Sequence, residues 1–382
     1  MGKKYVIPEG TRDLVPKEYK IKKGLQKNIE EIFEKWGYRE VVTPTIEFYQ
    51  TFNSIFENIK EEEVYKFFDY KGKILILRPD MTIPIARIVA SKFKDMKEPL
   101  RFRYSSNVFR MNESLVGKRN EYTDCGVELI GASGINSDLE VLVTALDVMQ
   151  VVKGNNTKLE IGNINFFNSA IEDLDLDDEK KSKLAELIDK KSMKELYEFL
   201  DSIDINQSYR KFFKELPWLF GDREVLKLAK TYCFNDKLIK SIKYLEKLAE
   251  LLKQLGYEKE ISFDLGMVQK LNYYTGITFR GFVEGVGMAV LSGGRYDSLI
   301  GNFGDDRAAI GFSINIDNLM DTMDKNNYKN EEIYKVNYGD ENVVEAFYKA
   351  KQLRKSGHIV EMKYDDKLKK IIVSKEGAEG EH

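Results

Sequence analysis

Apolar residues recur at helical spacing between Lys17 and Trp36, where Ile21, Leu25, Ile29, Ile32 and Phe33 share one face. Gly37 follows where such a helix ends, since glycine takes a left-handed backbone at little cost. The period then shortens. YREVVTPTIE (38–47) reads as a short strand broken by Pro44, and KILILRP (73–79) as a buried strand. DMTIPIARIVASKF (80–93) turns helical after Pro84. LRFRYSSNVFRM (100–111) and YTDCGVELIG (122–131) read as two strands joined around Gly117, an antiparallel hairpin with a long polar tip. DLEVLVTALDVMQVV (138–152) has the spacing of an amphipathic helix.

Residues 168–256 carry Leu-x-x-Leu repeats laden with charge, the pattern of an inserted helical domain with solvated faces. β-patterning resumes at ISFDLGM (261–267). GITFRGFV and MAVLSGGRYD flank EGVG as a hairpin, the GGRYD end of the second also open to a structural reading as a tight bend, and IGFSINIDNLMDTM (310–323) starts as a strand and ends as a helix. Residues 323–332 are a polar linker. Beyond it, 333–382 read as strand, helix and two strands, a small α/β unit with a mobile tail. Hairpins flanked by helices and interrupted by a helical insertion indicate an α+β fold with a core over 1–322.

The chain has 382 residues, long enough for two or three domains, and a formal net charge of −3 with no basic tract that marks nucleic-acid binding. No stretch approaches the ~20 apolar residues of a membrane span, and no apolar leader opens the chain, so a cytoplasmic location is expected. Two cysteines (Cys125, Cys233) and two histidines (His358, His382) leave little for a thiolate metal site, a disulfide framework or an imidazole-based triad. No GxGxxG or phosphate-binding P-loop occurs. What remains is a small-molecule pocket. Tyr273 and Tyr274 precede a Thr-Gly turn, and Asp124 and Glu128 stand four apart on a strand, on one face. No metal or cofactor is expected.

Six ordered stretches resemble the catalytic core of class II aminoacyl-tRNA synthetases, specifically histidyl-tRNA synthetase. They are PEGTRD (8–13), GYREVVTPTIE (37–47), LRPDMTIPIAR (77–87), FRMNESLVGKRNEYTDCGVELIG (109–131), LNYYTGITF (271–279), and GGRYDSLIGNFG with AAIGFSINID (293–317). The second of these resembles the dimer-forming motif, which implies a homodimer. The resemblance also implies which residues meet histidine: Asp80 and Thr82 at the α-amino group, Arg110 at the carboxylate or another anion, and Asp124, Glu128, Tyr273 and Tyr274 as the remaining walls. Asp124 stands where the synthetase has glutamine, which adds negative charge and favours a protonated imidazole.

Three departures bear on catalysis. Gln269 stands in place of the histidine-specific arginine, Asn318 in place of the third-motif arginine, and Asn112 in place of the second-motif glutamate. Amino-acid activation needs cations around the ATP phosphates, and losing one well-placed donor costs ~10²–10³ in rate. The C-terminal unit is also about half the length of the synthetase's anticodon-binding domain. The pattern therefore resembles the synthetase paralogues that act as regulatory subunits of ATP phosphoribosyltransferase. That implies a short catalytic subunit as partner, a hetero-octamer, and histidine as feedback ligand. An active histidyl-tRNA synthetase is the alternative. Each residue also has a purely structural reading: Arg110 paired with Glu128, the tyrosines as core packing, Asp80 as a helix cap.

Overall fold

The computed structural model describes residues 6–53, 61–111, 119–153, 157–172, 174–268, 273–321 and 332–376. Of the expected linker only Glu332 is among them. Asn112, Gly117, Gln269 and the tail after Glu376 lie outside the described residues. The described elements begin with α1 (Pro16–Lys35), β1 (Arg39–Glu40), β2 (Ile46–Phe48), α2 (Tyr49–Asn53), β3 (Lys66–Phe68), β4 (Ile74–Leu77), α3 (Thr82–Lys92), β5 (Leu100–Phe109), β6 (Glu121–Ile130), α4 (Ile135–Lys153) and β7 (Thr157–Asn163). A helical stretch follows: α5 (Ile164–Ile171), α6 (Asp178–Asp189), α7 (Met193–Ser202), α8 (Gln207–Glu215), the two-residue β8 (Phe220–Gly221), α9 (Glu224–Lys230) and α10 (Asp236–Gln254). Then come β9 (Ile261–Asp264), β10 (Ile277–Val283), β11 (Leu291–Arg295), β12 (Ala309–Asn315) and α11 (Ile316–Met320). The last are β13 (Ile333–Tyr338), α12 (Val343–Lys355), β14 (Ile359–Tyr364) and β15 (Ile372–Glu376). The chain divides into two compact units, Met1–Met323 and Asp324–His382.

The first unit is built on a nine-stranded sheet in the order β1-β5-β6-β12-β11-β10-β7-β9-β8. Neighbours are antiparallel except β1 with β5 and β7 with β9. The buried stripe of α1 (Ile21, Leu25, Ile29, Phe33) closes one face, with Phe33 edge-on to Phe312 of β12 at 5.8 Å. α4 lies beside α1 and is buried on most sides, because α10 packs against it as well. The other face carries the pocket.

Three expectations are corrected here. Residues 38–47 form two short strands in different sheets, because the chain around Pro44 leaves the main sheet: β1 pairs with β5, while β2 pairs with β4. KILILRP is not a buried strand. It is the centre of a separate three-stranded sheet, β2-β4-β3, in which Ile76 is closed off and Ile74 is exposed. α3 also begins at Thr82, ahead of Pro84, which a first helical turn accepts because its missing N–H has no intrahelical role there.

Within the helical stretch, α5 and α8 meet through ring contacts of Phe166 and Phe167 with Phe212 and Phe213. In the second unit α12 covers one face of the β14-β13-β15 sheet over Val336, Ala346, Ala350 and Val360. His358 lies against the Tyr334 ring there, with centroids 4.6 Å apart.

Candidate functional site

β6 supplies the centre of the pocket. Strand alternation puts Asp124, Gly126 and Glu128 on one face and Cys125 and Val127 on the other. Glu128 is 1 % exposed. Its Oε1 accepts from Thr82 Oγ1 at 3.1 Å and its Oε2 from the Tyr296 hydroxyl at 2.5 Å. Burial, against those two hydrogen bonds, pushes its carboxyl up to about 8.

Glycines on the adjoining strands make room for these groups. Gly311 is the register partner of Glu128, and a Cβ there would lie 1.7 Å from Glu128 Oε2. Gly294 pairs with Gly311, and its Cβ would lie 2.7 Å from the Tyr274 ring. Gly126 likewise leaves space for the Tyr104 ring, its partner across from β5. Gly293 and Gly294 belong to strand β11, and a Cβ there would meet the Gly311 carbonyl at 2.4 Å and the Tyr274 ring at 2.7 Å respectively.

Asp80 precedes α3, and its Oδ1 accepts from the Ile83 amide at 3.2 Å, so it does cap that helix. Burial raises its pKa, opposed by Arg110 and by the amides of Ile83 and Thr82. Arg110 does not bond Glu128. Its Nε donates to the Pro79 carbonyl at 2.7 Å, and its guanidinium lies 5.7 Å from the Tyr122 ring centroid. Burial disfavours the Arg110 charge, but Tyr122, Asp124 and Asp80 outweigh it and raise the pKa. Tyr273 and Tyr274 are in ring contact at 4.6 Å with their hydroxyls hydrogen-bonded, and Tyr273 meets Tyr296 edge-on at 5.9 Å. Burial raises both phenols, Tyr274 to about 12.

Asp124 borders a cavity of about 520 Å³, together with Arg110, Arg119, Tyr122, Asn318 and the 285–290 turn. Burial pushes its carboxyl up to about 7, opposed by Arg110 and reinforced by Asp80 and Asp317. Asp317 itself is well satisfied. It accepts from Lys22 Nζ at 2.9 Å, from Arg12 Nη2 at 3.4 Å and from the Thr123 amide at 2.7 Å. Arg119 bonds Asp321 at 2.7 Å. Asn318 stands at the wall, its amide N–H held by Asn315 Oδ1 at 2.8 Å and its side chain against Met288.

The expected residues Asp80, Thr82, Arg110, Asp124, Glu128, Tyr273 and Tyr274 therefore come together, with Asn318 at the edge, whereas Asn112 and Gln269 are not described. Sequence reasoning missed Tyr104, Tyr122 and Tyr296 as walls. Tyr122 had a signal, being two residues before Asp124 on the same strand face; Tyr296 depends on strand register and had none. Chemically, the pocket offers buried carboxylates and phenols with the guanidinium of Arg110, and Arg119 at the cavity wall paired with Asp321. These acceptors suit an ammonium and an imidazole N–H. Cys125 faces away, bonded to Ser105, and burial pushes its thiol up to about 12. Among the described residues no cluster of His, Cys, Asp and Glu is placed to hold a metal ion.

The histidyl-tRNA synthetase family matches across residues 10–319. The crystal structure of a Bacillus halodurans protein described as an ATP phosphoribosyltransferase regulatory subunit/histidyl-tRNA synthetase superposes with a TM-score of 0.85 at 30% identity, over 97% of this chain and 95% of that one. A histidyl-tRNA synthetase from Nostoc shares the fold, with a TM-score of 0.78 at 20% identity over 96% of this chain and 88% of that one. Curated ATP phosphoribosyltransferase regulatory subunits decide between the two. That of Thermoanaerobacter pseudethanolicus is 42% identical over 96% of both chains, and that of Clostridium botulinum strain Langeland is 41% identical over 96% of this chain and 85% of its own. The chain belongs to the family of ATP phosphoribosyltransferase regulatory subunits.

Proposed function

We infer that this chain is the non-catalytic regulatory subunit of an ATP phosphoribosyltransferase, acting in histidine biosynthesis beside a separate, short catalytic subunit. It works in the cytoplasm, where its two free cysteines suit reducing conditions. It pairs with itself as a dimer, assembles with the catalytic subunit as a hetero-octamer, and senses histidine in the pocket around Glu128. The observation that carries the reading is the contrast within one pocket. Carboxylates and phenols suited to an amine and an imidazole are in place, while Asn318 stands where a triphosphate would want a cation. The sensing step is a coupling free energy between this pocket and the partner's active site, typically ~1–3 kcal/mol.

The test mixes the purified chain with a short phosphoribosyltransferase subunit and follows phosphoribosyl transfer with and without histidine. The chain is expected to raise the rate and to make it histidine-sensitive, and alone to show no histidine-dependent ATP–pyrophosphate exchange. Exchange at a synthetase's rate would reverse the assignment. Tyr274→Ala is expected to blunt the histidine response more than the activation; equal loss of both would assign the tyrosine to folding or assembly.

A further inference from the structure

Among the described residues, Lys191 is the one non-glycine position with a left-handed backbone, at φ 51°. It follows the last turn of α6. Its amide bonds the Ile188 carbonyl at 3.0 Å, and the Ser192 amide bonds the Leu187 carbonyl at 3.0 Å. A helix that ends this way commonly places glycine there, because a Cβ opposes the conformation. Such strain persists where the surroundings impose it, and here they grip the side chain. The Lys191 ammonium lies 3.1 Å from Asp264 Oδ2 and 3.9 Å from the centroid of the Phe220 ring. Two residues earlier, Asp189 meets Arg280 of β10 at 3.1 Å. The turn between α6 and α7 is thus pinned to the sheet at two points.

Asp264 ends β9 and is 6 % exposed. Its other oxygen accepts from the Gly266 amide at 2.9 Å, and the Leu265 amide bonds the Leu219 carbonyl at 3.0 Å. Residues 264–268 are packed closely on both sides. A Cβ at Gly162 of β7 would lie 2.7 Å from the Asp264 carbonyl and 3.2 Å from Met267 Cβ, and one at Gly266 would lie 3.1 Å from the Leu216 carbonyl. Tyr273 follows Val268 by five residues, and just past Tyr274 the Thr275 amide bonds the Arg295 carbonyl at 2.7 Å. The stretch that carries both pocket tyrosines therefore starts at the Lys191 clasp and ends on β11.

We propose that Lys191 is a positioning residue for the ligand pocket. It touches no ligand. By holding Asp264 it fixes the start of the stretch that presents Tyr273 and Tyr274, and so ties the helical insertion to ligand affinity. Asp264 divides its oxygens between the insertion and the Gly266 amide, so a change at one is felt at the other. The inference rests on the histidine reading of the pocket.

Calorimetric titration of the full chain with histidine, alongside thermal melting, compares the wild type with Lys191→Gly, Asp264→Asn and the double variant. Glycine accepts the left-handed turn, so Lys191→Gly is expected to melt close to the wild type. Its histidine affinity is expected to fall roughly five- to ten-fold. Asp264→Asn keeps an oxygen for the Gly266 amide but no charge for Lys191, and a similar loss is expected. The double variant is expected to bind no more weakly than either single one, since all three remove the same interaction. Lys191→Arg, which keeps the cation, is expected to retain most of the affinity. Wild-type affinity in Lys191→Gly, losses that add in the double variant, or a loss in Lys191→Arg equal to that in Lys191→Gly would each overturn the positioning role and leave the histidine reading standing. No histidine binding by the wild type, alone and with its catalytic partner, would overturn both.

Discussion

Arg295→Ala is expected to lower folding stability by about 3–5 kcal/mol, because it strands a buried carboxylate. Arg295 lies at the end of β11 and donates to Asp138 Oδ1 from Nε at 2.7 Å and from Nη2 at 2.5 Å. It also reaches Ser137 Oγ at 2.7 Å and Asp297 Oδ1 at 2.9 Å. Asp138, on α4, is 1 % exposed, and Tyr244 of α10 donates to its other oxygen. One guanidinium thus joins the sheet, the helix behind it and the helical insertion. Burial raises the Asp138 pKa even with Arg295 beside it. Without the arginine the folded-state pKa climbs further above the unfolded value. The folded protein then binds the extra proton, and the variant's deficit grows as the pH rises from about 4. Urea unfolding at pH 5 and pH 8 measures this. A loss under about 1 kcal/mol at pH 8 would mean that water replaces the guanidinium. Arg295→Met with Asp138→Leu is expected to recover much of the stability, since removing both charges leaves no deeply buried charge unpaired and costs only the hydrogen bonds to Tyr244, Ser137 and Asp297.

The second large effect concerns ligand affinity. Glu128→Gln keeps the shape of the side chain and one oxygen acceptor, so the fold is expected to survive with a similar melting temperature. A hydrogen bond to a charged group contributes about 1.5–3 kcal/mol, so histidine affinity is expected to fall roughly 10–100-fold. Calorimetry of the full chain reads the affinity. Unchanged affinity would place the ligand away from Glu128. The same replacement removes a carboxyl held near 8, so the empty variant should lose less stability than the wild type as the pH climbs from 5 to 8. The sign follows from the raised pKa: the native acid binds more protons than the unfolded one across that window, so ionising it costs stability.

Much of the fold was legible because its signals are local. α1 carries its own apolar stripe, β5 and β6 are joined in sequence, and the insertion announces itself by helical spacing. The misreadings were of partners rather than of conformation. Nothing within 38–47 reveals that its two halves pair with different sheets, and nothing within KILILRP reveals that it lies outside the main one. GGRYD left two readings open, the end of a hairpin strand or a tight bend, and the strand is what forms. Two glycines in a row can be read as a bend, but here they lie in a strand, with the Tyr274 ring stacked on Gly294 and the Gly311 carbonyl close to Gly293. That these pocket residues would lie together was legible through the family resemblance. Their division of labour was not. That Asp124 stands unpartnered among the described residues while Glu128 holds two hydroxyls depends on where Thr82 and Tyr296 arrive from elsewhere in the chain.

Asp317 has a consequence for how the polypeptide is made. Its donors are Arg12, Lys22 and the amide of Thr123, the first of them 305 residues upstream. On a ribosome the segment that begins the chain must wait for almost the whole first unit to be synthesised before this carboxylate exists to receive it. Contacts of such separation are slow to form and leave apolar surface open in the meantime. The wall beside Asp124 is thus among the last parts of the nascent chain to close.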